Sequence, residues 1–264
     1  VLATAAVLLL LAVLWQLLPA AARWTAAAVP PAWEERIGER AYGQILGILA
    51  RFSEAPPRIC DDPEGLAALE TLTRRLAGAA GPSAYDFRPV VLDLEMVNAL
   101  ALPGGRILLF GGLIEKAESG AEVAGVLAHE MGHVIRRHGT ESIVRSVGVS
   151  VVFDLLLGGS GSLPSALGET LVRASYSREA ETEADRTALA LLEDAGIRAE
   201  GLVRFFERLH ETDGELPPGF DLLSSHPRSD ARAELFARAD SGGPALTEAQ
   251  WRALEGICGE PDPE

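Results

Sequence analysis

The sequence predicts an α+β fold that is mainly helical, with a small sheet beside one central helix. Apolar residues recur at helical spacing through Trp33–Phe52, Glu64–Ala79 and several segments after Gly111. Between these, Pro89–Phe110 is rich in Val, Leu and Ala and is broken by the turn sequence Pro103-Gly104-Gly105, which reads as strands. The central helix is Val123–Gly139, VAGVLAHEMGHVIRRHG, apolar enough to be buried. With 264 residues, 48% of them hydrophobic, the chain can build one good-sized core.

Taken in order, Val1–Ala22 has no charge and is polar only at Thr4 and Gln16, and about 20 apolar residues suffice to cross a bilayer as a helix. Residues 1–24 are therefore expected to be a transmembrane signal anchor or a signal peptide cut near Ala20–Ala22. Either carries the rest of the chain across a membrane. Residues 25–32 read as a Pro-ending linker and residues 33–264 as one domain. Trp33–Phe52 places Ile37, Ala41, Ile45 and Ile48 on one helical face, and Glu64–Ala79 does the same with Leu66, Leu69, Leu72 and Leu76. Pro89–Leu94, Met96–Leu102 and Arg106–Phe110 are the expected strands. Ser119 and Glu122 read as a capping box opening the central helix, with Arg136, Arg137 and His138 at its end and Gly139 at C′. Ile143–Leu157 is a buried or substrate-facing helix followed by the flexible GGSGSLPS of Gly158–Ser165. Ala166–Ala195 reads as one long helix, followed by Glu200–Leu209, Ser229–Ala239 and a last helix opened by the capping box of Thr247 and Gln250.

The formal charge of −15 argues against nucleic acid or anionic headgroups as the main partner. Cys60 and Cys258 have no metal-type spacing. In an oxidising compartment they can close a disulfide; the alternative is two unrelated buried thiols.

Chemistry concentrates in His129-Glu130-Met131-Gly132-His133. Residues four apart share a helix face, so both imidazoles can grip one Zn²⁺ while Glu130 acts as general base on a water held there. An accidental HExxH in a chain with so few histidines has a probability on the order of 1%. A catalytic zinc usually has three protein ligands. His138 falls at the wrong spacing for the metzincin pattern and reads as a helix cap. Glu181, in Ser177–Asp185 (SREAETEAD), is the expected third ligand, with Asp185 one turn on to fix the tautomer of a ligating His. Glu179 and Glu183 face elsewhere by helical phase. Upstream, an edge strand through Asn98, Ala99, Leu100 and Ala101 can pair with an extended polypeptide substrate.

These motifs resemble a known family. HEMGH, then Ser177, Arg178, Glu181, Ala184 and Asp185 of SRxxExxAD, then His226, Pro227 and Arg232, with Asn98, Ala99, Pro103, Gly104 and Gly105 of NAxxxPGG upstream, are similar to the gluzincin endopeptidases that include bacterial HtpX and the CAAX prenyl endopeptidases. The resemblance implies a zincin-like metallopeptidase with one Zn²⁺ per chain, held by His129, His133 and Glu181. It also implies that His226 and Arg232 lie near the metal as oxyanion donors, although in some relatives a late His instead fills the open metal position and holds the enzyme latent. Read plainly, His226 is a loop histidine before a proline and Arg232 a helix-surface charge. HtpX and the CAAX enzymes carry several membrane spans and this chain offers one, which places it nearer the single-anchor or periplasmic branch. The expected function is hydrolysis of misfolded or misassembled envelope proteins, at the bacterial inner membrane facing the periplasm or in the periplasm after signal cleavage. The rival expectation is an envelope assembly chaperone on a peptidase scaffold.

Overall fold

The computed structural model describes residues 4, 20–51, 57–81, 83–148, 166–172, 174, 176–212, 222, 226, 234–236 and 242–259. Most of Val1–Ala22, all but the start of Ile143–Leu157, the GGSGSLPS stretch, most of Ser229–Ala239, and Arg232 and Pro227 lie outside them. Among the described residues no helix is long and apolar enough to cross a membrane.

The fold is α+β and mainly helical, in three layers about a three-stranded sheet. Its strands are β1 (Arg88–Leu92), β2 (Ala99–Ala101) and β3 (Arg106–Phe110), in the order β1-β3-β2. β3 pairs in parallel with β1, Val90 opposite Leu108, and antiparallel with β2, Leu100 opposite Leu108. The PGG turn makes that hairpin, with Gly104 at φ 81° against the backbone of Glu35, where a side chain would collide.

Alternation along the strands separates two cores. Ala99, Ala101, Ile107 and Leu109 face one side, against Leu69, Leu72 and Leu76 of α2 (Pro63–Ala79) and the apolar face of the HExxH helix. Leu100, Leu102, Leu108 and Phe110 face the other, against Ile37, Ala41 and Ile45 of α1 (Pro31–Leu49). After β3 come α3 (Gly111–Lys116), α4 (Gly120–Ile135), α5 (His138–Val147), α6 (Ala166–Val172), α7 (Arg178–Asp194), α8 (Glu200–Thr212) and α9 (Glu248–Glu255). Cys60 and Cys258 are bridged, tying the entrance of α2 to the end of α9 across 198 residues.

Several elements differ from the sequence expectation, each for a local reason. Residues 20–28 are helical, and Ala22, Ala26 and Val29 are buried, so part of the expected linker packs on the domain. The expected long helix is two. α7 opens afresh at Ser177, which caps it, its hydroxyl accepting from Ala180 N at 3.2 Å. The central helix ends at Ile135, not at His138: Arg137 takes the left-handed conformation (φ 61°) expected of Gly139, and His138 opens α5. At the start of α4, Ser119 is the N-cap but makes no side-chain bond. Glu122 instead accepts from Glu118 N at 2.9 Å and pairs with Arg208. The capping box of Thr247 and Gln250 is present.

Candidate metal centre

α4 carries the HExxH residues into the interior, where His129, Glu130 and His133 are at most 1% exposed. It is crossed closely by α7. A Cβ added at Gly132 would lie 2.7 Å from Ala184 O, so the glycine lets the two backbones approach. That approach brings Glu181, buried in the first turn of α7, over the two rings.

His129 Nε2 and His133 Nε2 lie 3.0 Å apart, and each is 3.5 Å from a Glu181 carboxylate oxygen. His226 completes the set, its Nδ1 3.1 Å from His129 Nε2 and 3.0 Å from Glu181 Oε1. One ligand atom from each of these residues falls within 4.8 Å of the others, and all are buried. Around a tetrahedral zinc with bonds of about 2.0–2.1 Å, neighbouring ligand atoms lie about 3.3–3.4 Å apart. The spacing therefore fits a small cation, and three imidazoles with a carboxylate are a donor set that could hold one.

The electrostatics point the same way. Burial would lower the pKa of His129, but Asp185 and Glu181 outweigh it and push the group up to about 9. Burial would raise Glu181, yet His226 and His129 hold it far below the usual carboxylate range. His133 is driven well below its ordinary value by burial and then by the neighbouring imidazoles. Imidazole and carboxylate donors converging this closely in the interior are suited to a positive ion.

Asp185, one turn beyond Glu181, places Oδ1 2.9 Å from His129 Nδ1, leaving Nε2 free to face the cluster. Glu130 is distinct. Both its carboxylate oxygens are buried without a hydrogen-bond partner among the described residues, and the nearest ring nitrogen is His226 Nε2 at 3.4 Å from Oε1. An orphaned buried carboxylate is costly unless something else, such as a water or a substrate, is meant to meet it.

The sequence reading brought together His129, Glu130, His133, Glu181 and Asp185, and the structure places all five in one site. His226 is placed among the ligand atoms, nearer than an oxyanion donor needs to be. Arg232 lies outside the described residues. Asn98, Ala99, Leu100 and Ala101 run along the edge strand β2, but all are buried, and Asn98 Oδ1 accepts from Ala99 N at 2.8 Å. The reading missed two neighbours. Tyr176 stacks on His133 with centroids 4.1 Å apart, carried there by the break before α7. His138 reaches His133 Nδ1 at 2.9 Å, because the chain reverses at Arg137.

Comparison with known proteins points to a peptidase family. The pattern of peptidase family M48 matches residues 66–238. The mitochondrial metalloendopeptidase OMA1 of Schizosaccharomyces pombe is 28% identical over 205 residues, 76% of this chain and 59% of that protein. Metalloprotease YcaL of Escherichia coli is 34% identical over 145 residues, 52% of this chain and 56% of that protein. A putative beta-barrel assembly-enhancing protease of Vibrio cholerae is 30% identical over 210 residues, 74% of this chain and 42% of that protein. The chain thus spans 42% to 59% of the length of these curated relatives.

Proposed function

The chain belongs to peptidase family M48, and on that premise we propose that it is a zinc-dependent metalloendopeptidase, with His129, His133 and Glu181 as the metal ligands. The observation that carries this is the orphaned carboxylate of Glu130 beside ligand atoms spaced for a cation. Bound zinc would supply Lewis acidity, making a water acidic and polarising the scissile carbonyl. The protein does the rest. Glu130 takes the proton of the attacking water and returns it to the departing amine. Asp185 keeps the His129 ring turned so that Nε2 faces the metal.

His226 as placed fills the fourth direction around the cluster, so it must swing aside before a substrate carbonyl can approach. Once displaced, its ring is a candidate donor to the developing oxyanion, the role that the family resemblance offered beside the latent one. Arg232 is a second donor in this reading. An extended polypeptide adding to β2 along Asn98–Ala101 would lie alongside α4.

Misfolded or misassembled envelope proteins are the proposed substrates, supported by the similarity to a putative beta-barrel assembly-enhancing protease. The disulfide suits an oxidising compartment such as the periplasm, and Val1–Ala22 suits delivery to or anchoring in the inner membrane. An assembly chaperone on a peptidase scaffold would give Glu130 no work, yet its carboxylate is kept buried with no hydrogen bond among the described residues.

The test is Glu130→Gln assayed for metal content and for cleavage of unfolded casein. Metal should stay stoichiometric while cleavage falls by about 10²–10⁴-fold. Cleavage at the wild-type rate, or wild-type cleavage untouched by a chelator, overturns the reading.

A further inference from the structure

A file of polar side chains runs from the metal centre towards the surface, and the proposed mechanism does not use it. His133 turns Nε2 to the cluster. Its other ring nitrogen, Nδ1, lies 2.9 Å from His138 Nδ1, and His138 Nε2 lies 3.4 Å from Glu183 Oε2. His133 and His138 are 0% and 3% exposed, whereas the Glu183 side chain is 38% exposed. The file therefore begins in the interior and ends at solvent.

Hydrogen positions along it follow from valence. A ring nitrogen that binds a cation presents its lone pair, so the hydrogen of neutral His133 must sit on Nδ1. Two nitrogens 2.9 Å apart cannot both carry hydrogens, so His138 Nδ1 accepts. The hydrogen of His138 is then on Nε2, the atom facing the Glu183 carboxylate. His138 cannot itself be a ligand of this site, because its nearest approach is to the back of the His133 ring.

We propose that His138 is a positioning residue for the metal centre: it accepts the Nδ1–H of His133, and Glu183 holds it in the accepting tautomer. The inference rests on the zinc reading above. It makes the two ligand histidines unequal, since His129 is backed directly by the Asp185 carboxylate and His133 only through a neutral imidazole. The left-handed turn at Arg137 is what makes the contact possible, returning the chain beside His133 within five residues. Tyr176, stacked at 4.1 Å, holds the ring by its face while His138 holds it by its edge.

The experiment is zinc affinity measured by competition with a chromophoric chelator on the full chain. It compares wild type, His138→Leu, which removes the acceptor, and His138→Asn, whose side-chain oxygen can stand where Nδ1 stood. His138→Leu should bind zinc about 10–100-fold more weakly, and His138→Asn should recover most of the loss. The slowly exchanging Nδ1–H resonance of His133 in the zinc-loaded protein should be kept in His138→Asn and lost in His138→Leu. Affinity in His138→Leu equal to wild type, or an equal loss in both variants, overturns the proposal. Should His138→Leu fail to fold, Glu183→Ala replaces it: a several-fold loss is expected, and wild-type affinity overturns the relay. A wild-type chain that takes up no zinc would instead sink the metal reading itself.

Discussion

Two groups of buried polar side chains flank the C-terminal end of α4, and they bury carboxylates in opposite ways. Around Glu34, 1% exposed, every neighbour is a donor. Tyr85 Oη donates at 2.5 Å, the Thr140 hydroxyl donates to the other oxygen, and Arg137 Nε stands 3.6 Å away. Around Glu181 the neighbours are imidazole nitrogens that would themselves accept if unprotonated, and the nearby Glu130 accepts no hydrogen bond among the described residues, its closest ring nitrogen being His226 Nε2 at 3.4 Å. A carboxylate met by donors is satisfied and needs nothing further. Acceptors made to converge need a cation between them. Both carboxylates are buried, so it is the match of donors to acceptors that separates a structural cluster from a chemical one.

That contrast can be broken most forcefully at Glu34. Glu34→Ala strands the hydroxyls of Tyr85 and Thr140, and should cost about 3 kcal/mol in chemical denaturation while metal content stays stoichiometric. Loss of metal along with stability would mean the two clusters are one. Chelation makes the complementary cut. With free metal at about 100 times its Kd, stripping it should cost wild type about 2.7 kcal/mol of stability, and Glu34→Ala the same increment. Glu181→Ala should lose nothing on chelation.

Smaller effects sharpen the picture. Gly132→Ala drives a methyl against Ala184 O and should cost about 1–3 kcal/mol, with weaker metal binding because Glu181 moves off with α7. An unchanged metal affinity would show that the close crossing of α4 and α7 does not place the ligand. Smallest is a pH effect. Burial raises the Glu34 pKa above its ordinary value, against the hydrogen bonds from Thr140 and Tyr85 that lower it. The folded protein then binds a proton that the unfolded chain has released. Its contribution is fully present below the ordinary glutamate range and declines as pH rises through the raised value. Glu34→Gln removes that decline, so its stability relative to wild type should grow as pH rises above the ordinary glutamate range in urea titrations. A difference that shrinks with rising pH contradicts the shift.

The grouping of the candidate site was legible from sequence where helical phase alone decides it. His129 and His133, and Glu181 and Asp185, are pairs four residues apart on single helices, so local spacing already put each pair on one face. His226 was legible as a motif but not as a position, because the fold alone brings it to Glu181 from 45 residues away. His138 was misread because the sequence offered Gly139 as the helix stop, and nothing local announces an arginine at φ 61°. What holds it there is tertiary, the Arg137 guanidinium donating to the carbonyls of Ala26 at 3.0 Å and Val29 at 2.6 Å. Glu34 gave a signal that passed unread: it stands in phase with Ile37, Ala41 and Ile45, on the buried face of α1. The three strands were found to within a few residues, but the parallel pairing of β1 with β3 was beyond local pattern.

The Cys60–Cys258 bridge has a practical corollary at the bench. It closes 198 residues, with all the metal-centre side chains inside, into one covalent ring. A nick in the chain within that ring leaves both fragments on a single molecule, which sediments and migrates as if whole until a thiol reductant is added. Proteolytic damage to this chain is therefore to be sought on reducing gels, where a cut opens into two bands.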